Sequence, residues 1–259
     1  MKILYVGDIV GSPGRRTFTV AVERLRAKHP LDAVIVNAEN SAGGRGLTPD
    51  IAESLFAAGA DVLTLGDHTW DQRDILPYLD QEPRVIRPAN FATSCPGRGI
   101  TEIETASGRV TVLQVIGRVF MPPHADCPFL TADRLLQGKN SAQVILAEIH
   151  AEATSEKIAF GRYLEGRVSS VVGTHTHVQT SDNEVLPGGT AYITDLGMTG
   201  PRDSVLGREV EPVLHRFTTG MPARFTVAKD RLALEGVVLT IDERTGKATA
   251  IERVRECVE

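Results

Sequence analysis

The chain contains little cysteine, few aromatic residues and no excess of basic residues. Its three cysteines, Cys95, Cys127 and Cys257, are widely separated and form no C-x-x-C pair. This pattern argues against a disulfide framework and is typical of the reducing cytosol, so we expect a cytoplasmic protein. The formal net charge of −5 gives no general attraction for nucleic acid or anionic membranes. No apolar run approaches the length of a membrane span, so we expect neither a membrane nor a large nucleic acid as a partner.

The chain also lacks the phosphate-binding loops of common nucleotide-binding folds. The segment from Gly7 to Gly14 follows a strand pattern, but it lacks G-x-G-x-x-G spacing, and Pro13 removes an amide that would contact phosphate. No Gly-Lys-Ser or Gly-Lys-Thr sequence is present for a Walker loop. A His-x-His pair does occur, but it comes late in the chain and is followed by antiparallel strand patterns, which argues against a (β/α)₈ barrel.

Length and patterning predict one large domain over residues 1–259. A chain of this length with 42% hydrophobic residues can bury a substantial core, but it is short for two full domains. Its first third alternates strand and helix patterns, which predicts a parallel sheet with right-handed crossovers. Three helices are predicted in this part. The first opens at Pro13-Gly14 and ends near His29, the second follows the N-cap Thr48, and the third runs from Asp71 to Leu79.

The rest of the chain continues as α/β and finishes as antiparallel strands. Three prolines predict a loop over residues 119–130, which could form a lid or a pocket wall. Further strands are predicted at 143–149, 168–173 and 190–194, with a helix at 153–164. Two last strands, 232–241 and 248–254, are joined by a turn sequence at 242–246. The simplest architecture has a pair of mixed sheets as its core and helices outside.

Five apolar, strand-like runs end in side chains that can bind a metal. Continuous apolar strands suit a sheet buried on both faces, and ligands of such sheets gather beyond the carboxyl ends of the strands. Oxygen donors and imidazoles repeated at that place predict a polynuclear metal centre. The candidate ligands are Asp8, Glu39, Asn40, Asp67, His150, His175 and His177.

These donors are too many for one divalent ion and suit two ions that share a carboxylate. Oxygen and nitrogen donors without cysteine favour Mn²⁺ or Fe over a structural zinc. Taken singly, Asp8 could cap a turn, Glu39 and Asn40 could belong to a polar loop, and His150 could be a buried core residue. The pair His175 and His177 is a stronger signal, because alternate residues of an extended segment project to the same side.

His68 directly follows a candidate ligand and has two readings. It cannot easily bind the ion of Asp67, but it could face a substrate and protonate a leaving alkoxide. Alternatively, it could be a histidine hydrogen-bonded to a carboxylate behind the ligands. Candidates for a contact with substrate phosphate are Arg15, Arg16 and Arg45.

Motifs along nearly the whole chain resemble the calcineurin-like metallophosphoesterases. Four of them are Gly-Asp-Ile-Val-Gly-Ser-Pro-Gly-Arg, Val-Asn-Ala-Glu-Asn-Ser-Ala-Gly-Gly, Asp-His-Thr-Trp-Asp and Val-Gly-Thr-His-Thr-His-Val-Gln-Thr, in this order. Within that superfamily the chain is most similar to the YmdB-like branch, whose members are described as 2′,3′-cyclic-nucleotide phosphodiesterases.

The resemblance implies an α/β (α+β) fold, a four-layer α-β-β-α sandwich of two mixed sheets with helices outside. It also implies two metal ions, with Fe or Mn expected. One ion would be held by Asp8, Glu39, Asn40 and His177. Glu39 would bridge to a second ion held by Asp67, His150 and His175, and His68 would be the proton donor. The expected reaction is attack of a metal-bridging hydroxide on a small cyclic nucleotide.

Two positions depart from the pattern of the wider superfamily. Val10 stands where that superfamily usually has histidine, and Asn40 would compensate for it. Asp67 stands where asparagine is usual, which makes the site more negative, so that it should bind cations more tightly and repel a phosphate somewhat. Two other functions stay open: a regulatory metal- and nucleotide-binding protein with little turnover, and a phosphomonoesterase. The oligomeric state is open as well, and a homo-oligomer is possible.

Overall fold

The computed structural model describes residues 1–138 and 143–258, and its first sheet contains eight strands. The strands are β1 (Lys2–Val6), β2 (Asp8–Ile9), β3 (Ala33–Asn37), β4 (Val62–Thr64), β5 (Val85–Ile86), β12 (Met198–Pro201), β13 (Leu232–Asp242) and β14 (Lys247–Val258). Their order is β2-β12-β13-β1-β3-β4-β5, and β14 pairs with β13. The parallel pairs β1–β3 and β3–β4 are those predicted from the first third of the chain, and β5 adds a further parallel pair with β4 that was not predicted.

The second sheet contains six strands. They are β6 (Ile100–Thr105), β7 (Gly108–Ile116), β8 (Val144–His150), β9 (Ser170–Thr174), β10 (Glu184–Val185) and β11 (Ala191–Ile193), in the order β10-β11-β9-β8-β7-β6. The central pairs β7–β8, β8–β9 and β9–β11 are parallel, and the edge pairs β6–β7 and β10–β11 are antiparallel. Both sheets are therefore mixed, as expected.

The described residues form six helices, whose ends differ in places from the prediction. Their bounds are α1 (Gly11–Lys28), α2 (Pro49–Ala57), α3 (Ile75–Gln81), α4 (Pro128–Leu136), α5 (Thr154–Leu164) and α6 (Val210–Thr219). The Thr48 cap is confirmed, because its hydroxyl accepts a hydrogen bond from the Ile51 amide at 3.4 Å. None of the helices in these ranges is long and apolar enough to cross a bilayer.

Three buried clusters show the order of the layers. Helix α1 packs with α2 and α3 on one face of the first sheet, around Phe18, Leu55 and Leu79. Helices α4 and α5 pack on the outer face of the second sheet. Between the sheets lies a third cluster, which contains Tyr5 of β1 and Leu146 of β8. The result is the α-β-β-α sandwich that the resemblance implies.

Three helix predictions were wrong or missing. Helix α3 begins at Ile75 rather than Asp71, because the chain after β4 first turns at Thr69 and Asp71. The predicted loop 119–130 ends early, since α4 begins at Pro128, where a helix needs no proline amide. Helix α6 was not predicted; Pro212 lies in its first turn, and Val213 is the residue that the helix buries.

Candidate metal centre

The candidate ligands lie at the carboxyl ends of strands from both sheets. Asp8 opens β2 directly after β1, Glu39 and Asn40 follow β3, and Asp67 follows β4. From the second sheet, His150 closes β8, while His175 and His177 follow β9. The parallel strands of the two sheets thus deliver all seven side chains to one edge of the sandwich, as the strand-end rule predicts.

Four of these residues form a tight cluster of donor atoms. The donors of Glu39, Asp67, His150 and His175 all lie within 4.8 Å of one another. His150 Nε2 is 3.0 Å from Glu39 Oε1, 3.0 Å from Asp67 Oδ1 and 3.0 Å from His175 Nδ1. These are two carboxylates and two imidazoles at distances that one cation between them could satisfy.

The other three candidates form a second group beside the first. His177 Nε2 lies 3.6 Å from Asp8 Oδ1 and 3.3 Å from Asn40 Nδ2. Asn40 Nδ2 also lies 3.2 Å from Glu39 Oε1, the same oxygen that contacts His150. Glu39 therefore stands between the two groups, in the position a bridging carboxylate requires. To act as a ligand, Asn40 must turn its amide so that the oxygen faces the ion, because an amide nitrogen donates hydrogen bonds.

The chemistry of this donor set fits cations. Asp8 and Glu39 are buried and Asp67 is nearly so, yet among the described residues none of the three forms an ion pair with lysine or arginine. An ionised carboxylate is costly to bury unless it is paired and hydrogen-bonded, so cations would stabilise this cluster. Gly66 leaves room between the donor atoms, because a Cβ at this position would collide with Glu39 Oε2 and His150 Nε2.

Each imidazole of the set is oriented by a partner outside the cluster. His150 Nδ1 lies 2.9 Å from Thr174 Oγ1, and His177 Nδ1 donates to the Leu206 carbonyl at 3.2 Å. His175 Nε2 lies 3.2 Å from Glu152 Oε2. The outer nitrogen thus carries a proton, and in the neutral ring the lone pair of the other nitrogen faces the cluster. Metal-binding histidines in proteins are held in this way.

A buried carboxylate fixes His150 from behind. Glu148 lies between the sheets and accepts hydrogen bonds from four side chains, of which Thr174 donates its hydroxyl at 2.8 Å. That hydroxyl oxygen can therefore accept the Nδ1 proton of His150. The other donors to Glu148 come from both sheets and are Tyr5, Asn37 and Gln114, at 2.8 to 2.9 Å.

The loop that carries His175 and His177 does not have the extended backbone we expected. His175 has a φ of 96° and His177 a φ of 62°, both in the left-handed region. The two imidazoles consequently reach different groups rather than the same side. Buried Asp195 anchors the residue between them, because it accepts from the Thr176 amide at 3.1 Å and hydroxyl at 2.7 Å, and it pairs with Lys157 at 2.7 Å.

Charge in the cluster shifts the pKa values of its members in opposite directions. Burial alone would raise the pKa of Asp8, but the hydrogen bond and charge of His177, with the charges of His150 and His175, lower it to about 2. Burial alone would lower the pKa of His150, but the carboxylates of Glu39, Asp67 and Asp8 raise it well above the usual value. Asp8 is thus held in its ionised form, and the cluster favours bound positive charge.

His68 stands at the edge of the cluster rather than in it. Its amide donates to Glu39 Oε2 at 3.0 Å, and its Nδ1 lies 3.0 Å from Asp71 Oδ2. Its Nε2 is 3.9 Å from Asp67 Oδ2, and the ring is partly exposed. The geometry agrees with both hypotheses for His68, because the Asp71 carboxylate holds Nδ1 while Nε2 faces the candidate ligands.

A groove of about 350 Å³ opens onto the cluster. Its lining includes Glu39, Asn40, His68, His175 and His177. Arg208 also lines it and donates to the Gly44 carbonyl at 2.6 Å. The three arginines suggested by the sequence do not line it; Arg45 instead pairs with Asp71 at 3.3 Å.

Several site residues were missed in the sequence. Asp71, Glu152, Thr174 and Asp195 hold His68 or the loop and side chains of the candidate ligands. Arg208 lies in a loop before α6, in a segment for which no element was predicted. A signal was available for Thr174, which ends β9, and for Asp195, which follows the strand predicted at 190–194.

Comparison with known proteins identifies relatives of the whole chain. The YmdB-like protein family matches residues 4–254. The chain is 50% identical over 255 residues to a Bacillus subtilis protein named 2′,3′-cyclic-nucleotide 2′-phosphodiesterase, covering 98% of this chain and 96% of the relative.

Solved structures agree with this relation. The crystal structure of a protein described as a novel phosphatase of Mycoplasma pneumoniae superposes with a TM-score of 0.93 at 34% identity, covering 99% of this chain and 93% of the other. The calcineurin-like phosphoesterase YfkN of Bacillus subtilis shares the fold alone, with a TM-score of 0.60 at 13% identity over 99% of this chain and 90% of the other. The chain therefore belongs to the YmdB-like protein family.

Proposed function

We propose that this chain is a di-metal-dependent phosphodiesterase that hydrolyses small cyclic nucleotides of the 2′,3′-cAMP type. The observation that carries the proposal is the meeting of buried Asp8 and Glu39 and nearly buried Asp67 with three imidazoles at one edge of the sandwich, open to a groove. The printed name of the Bacillus subtilis relative supports the substrate class. A phosphomonoesterase is the second candidate, which the description of the Mycoplasma pneumoniae structure favours.

Each of the two groups of donors would bind one metal ion. Asp8, Asn40 and His177 would hold one ion, and Asp67, His150 and His175 the other, with Glu39 shared. Bound ions of this kind neutralise charge on a phosphoryl group and supply a hydroxide nucleophile. The mixed oxygen and nitrogen donors, without cysteine, favour Mn or Fe.

The chain's own residues supply the remaining chemistry. His68 would hold a proton on Nε2 for the departing ribose oxygen, while Asp71 fixes its ring through Nδ1. Arg208 lies in the groove without a carboxylate partner among the described residues, so its charge is available to the phosphate. We further propose that the chain acts as one domain in the cytoplasm; the family match over residues 4–254 and three free cysteines support this.

Hydrolysis of a substrate panel tests the proposed function. Metal-replete protein is expected to hydrolyse 2′,3′-cAMP and bis-p-nitrophenyl phosphate faster than adenosine 3′-monophosphate, because the proposed site acts on a phosphorus that carries two ester oxygens. Preference for the monoester would favour the second candidate. Binding of 2′,3′-cAMP without any turnover would instead favour a regulatory protein.

Replacing His68 tests the proton donor in the same panel. His68→Ala should lower kcat for 2′,3′-cAMP by about 10²- to 10⁴-fold, the usual contribution of general acid catalysis. Metal content, measured by elemental analysis, should not change, because His68 contacts the ligands only through its amide and at the edge of the cluster. His29→Ala, at the far end of α1, is the matched control and should retain activity. Unchanged turnover in His68→Ala would remove His68 from the reaction.

Glu152 offers a test of ligand orientation. Glu152→Ala should weaken metal binding by roughly 10- to 100-fold, because His175 loses the partner that fixes its ring. The Glu152 side chain is 51% exposed, so its removal should leave the fold intact. Competition with a chelator measures the affinity, and Glu184→Ala, whose carboxylate pairs with Arg162 on the surface, is the control. Equal affinities for both variants would mean that Glu152 does not orient His175.

The carboxylate of Asp67 should favour metal binding but disfavour phosphate binding, and the two effects can be measured separately. Asp67→Asn removes a negative charge beside His150 and His175. Metal affinity should fall by more than the roughly 10- to 100-fold typical of losing an outer hydrogen-bond partner. At saturating metal, KM for 2′,3′-cAMP should fall as well, since the phosphate meets less repulsion. Metal titration and steady-state kinetics measure the two effects, and a higher KM at full metal occupancy would refute the second.

A further inference from the structure

We propose that Phe217 and Phe225, with Leu206, form the surface that receives the nucleobase, so that the groove selects ribonucleotides over diesters without a base. This inference rests on the proposed function and adds the part of the substrate that lies away from phosphorus. It assigns Phe217 the role of a substrate-binding residue that acts on KM.

The apolar side chains lie in the same groove as the candidate metal ligands. The lining that contains His68, His175 and His177 also contains Leu206, Phe217 and Phe225. The groove therefore combines polar and charged side chains with aromatic and aliphatic ones. A nucleotide has the same combination, with an anionic phosphate and a flat, apolar-faced base.

Helix α6 presents Phe217 to solvent beside the groove. Val213 and Phe217 are four residues apart, lie on one side of the helix and both line the groove. Val213 is only 4% exposed and fixes the helix to the fold, whereas Phe217 is 77% exposed. An aromatic ring held at the mouth of a reactive groove is a ready platform for stacking, which is tolerant of base identity because each base has a π-face.

Phe225 is held more firmly than Phe217. It is partly buried, and the Arg216 guanidinium lies 5.5 Å from its ring centroid. Phe225 thus supplies a fixed apolar surface beside the more exposed ring. The groove volume of about 350 Å³ lies within the roughly 300–1,000 Å³ that small-molecule sites occupy.

The position of Arg208 supports the same orientation of the ligand. Arg208 lines the same groove as the candidate metal ligands and the apolar residues. A phosphate near the metal ligands and Arg208 would leave the ribose and base to contact Phe217. The occupant that matches both kinds of lining is a small nucleotide rather than a purely apolar partner.

Binding of the reaction's product measures the base contact without turnover. Calorimetry with the whole protein as purified should show tighter binding of adenosine 3′-monophosphate than of ribose 3-phosphate. Phe217→Ala should erase this difference, and Phe217→Trp should preserve it, since both aromatic rings stack. Leu214→Ala is the matched control, because Leu214 is on the same helix and 52% exposed but does not line the groove.

Steady-state kinetics provide a second test of the base contact. Phe217→Ala should raise KM for 2′,3′-cAMP by about 5- to 150-fold, the range expected for loss of one stacked base, with kcat unchanged. The base-free diester 1-O-methylribofuranose 2,3-cyclic phosphate should show the same KM in the wild type and in Phe217→Ala. A rise in KM for both substrates, or for neither, would overturn the proposal.

Two other outcomes are separable from these. A wild-type protein that hydrolyses no diester but still binds the nucleotide more tightly than ribose 3-phosphate would refute the proposed function and keep the base site. A concentration-dependent dimer in light scattering that Phe217→Ala dissociates, with nucleotide binding unchanged, would instead identify the apolar face as an interface between copies of this chain and overturn the base site.

Discussion

Buried negative charge at the edge of two sheets is the constraint on which the rest of this structure depends. Asp8 and Glu39 are removed from water, and Asp67 nearly so, in a place where the described chain supplies imidazoles but no lysine or arginine. An isolated carboxylate in such surroundings is costly. Cations shared by the three carboxylates and the imidazole lone pairs would offset that cost. Such cations would also supply the Lewis-acid chemistry that phosphoester hydrolysis uses.

The architecture explains how residues so far apart in the chain reach one place. The parallel strands β1, β3 and β4 of one sheet and β8 and β9 of the other end at the same edge. The apolar cluster between the sheets fixes their separation, and Glu148 adds a polar contact from Tyr5 and Asn37 of the first sheet to β8 of the second. Thr174 donates to Glu148 and also contacts His150 Nδ1. One hydrogen-bond network therefore both joins the two sheets and orients a candidate metal ligand.

The parts of the fold and site that could be predicted are those set by periodic patterns. Buried strands are continuous apolar runs, and parallel strands end at a common edge, so the meeting of the candidate ligands from Asp8 to His177 followed from the sequence. The chain-wide motifs supplied the layer order and the proposed division of the ligands between two ions. The hairpin turn at Asp242–Gly246 was predictable for a similar reason, because Gly246 supplies the positive φ of 69° that the turn needs.

What could not be predicted depends on loops and on long-range contacts. His175 and His177 have left-handed backbone on either side of Thr176, which is held by Asp195 and its partner Lys157, residues distant in sequence. Asp71 was read as the start of a helix, whereas its side chain is engaged by His68 and α3 begins four residues later. Helix α6 directs apolar side chains at a groove rather than at the core, so a pattern of burial could not predict it. The orienting residues and the groove wall therefore became visible only in three dimensions.

The most direct test of the central claim is anomalous diffraction at the manganese edge from crystals of the whole protein soaked in Mn²⁺. The account predicts two peaks, one between Asp8, Asn40 and His177 and one between Asp67, His150 and His175, with Glu39 in contact with both. A single peak, or ions bound elsewhere while the seven side chains keep their present contacts, would contradict it.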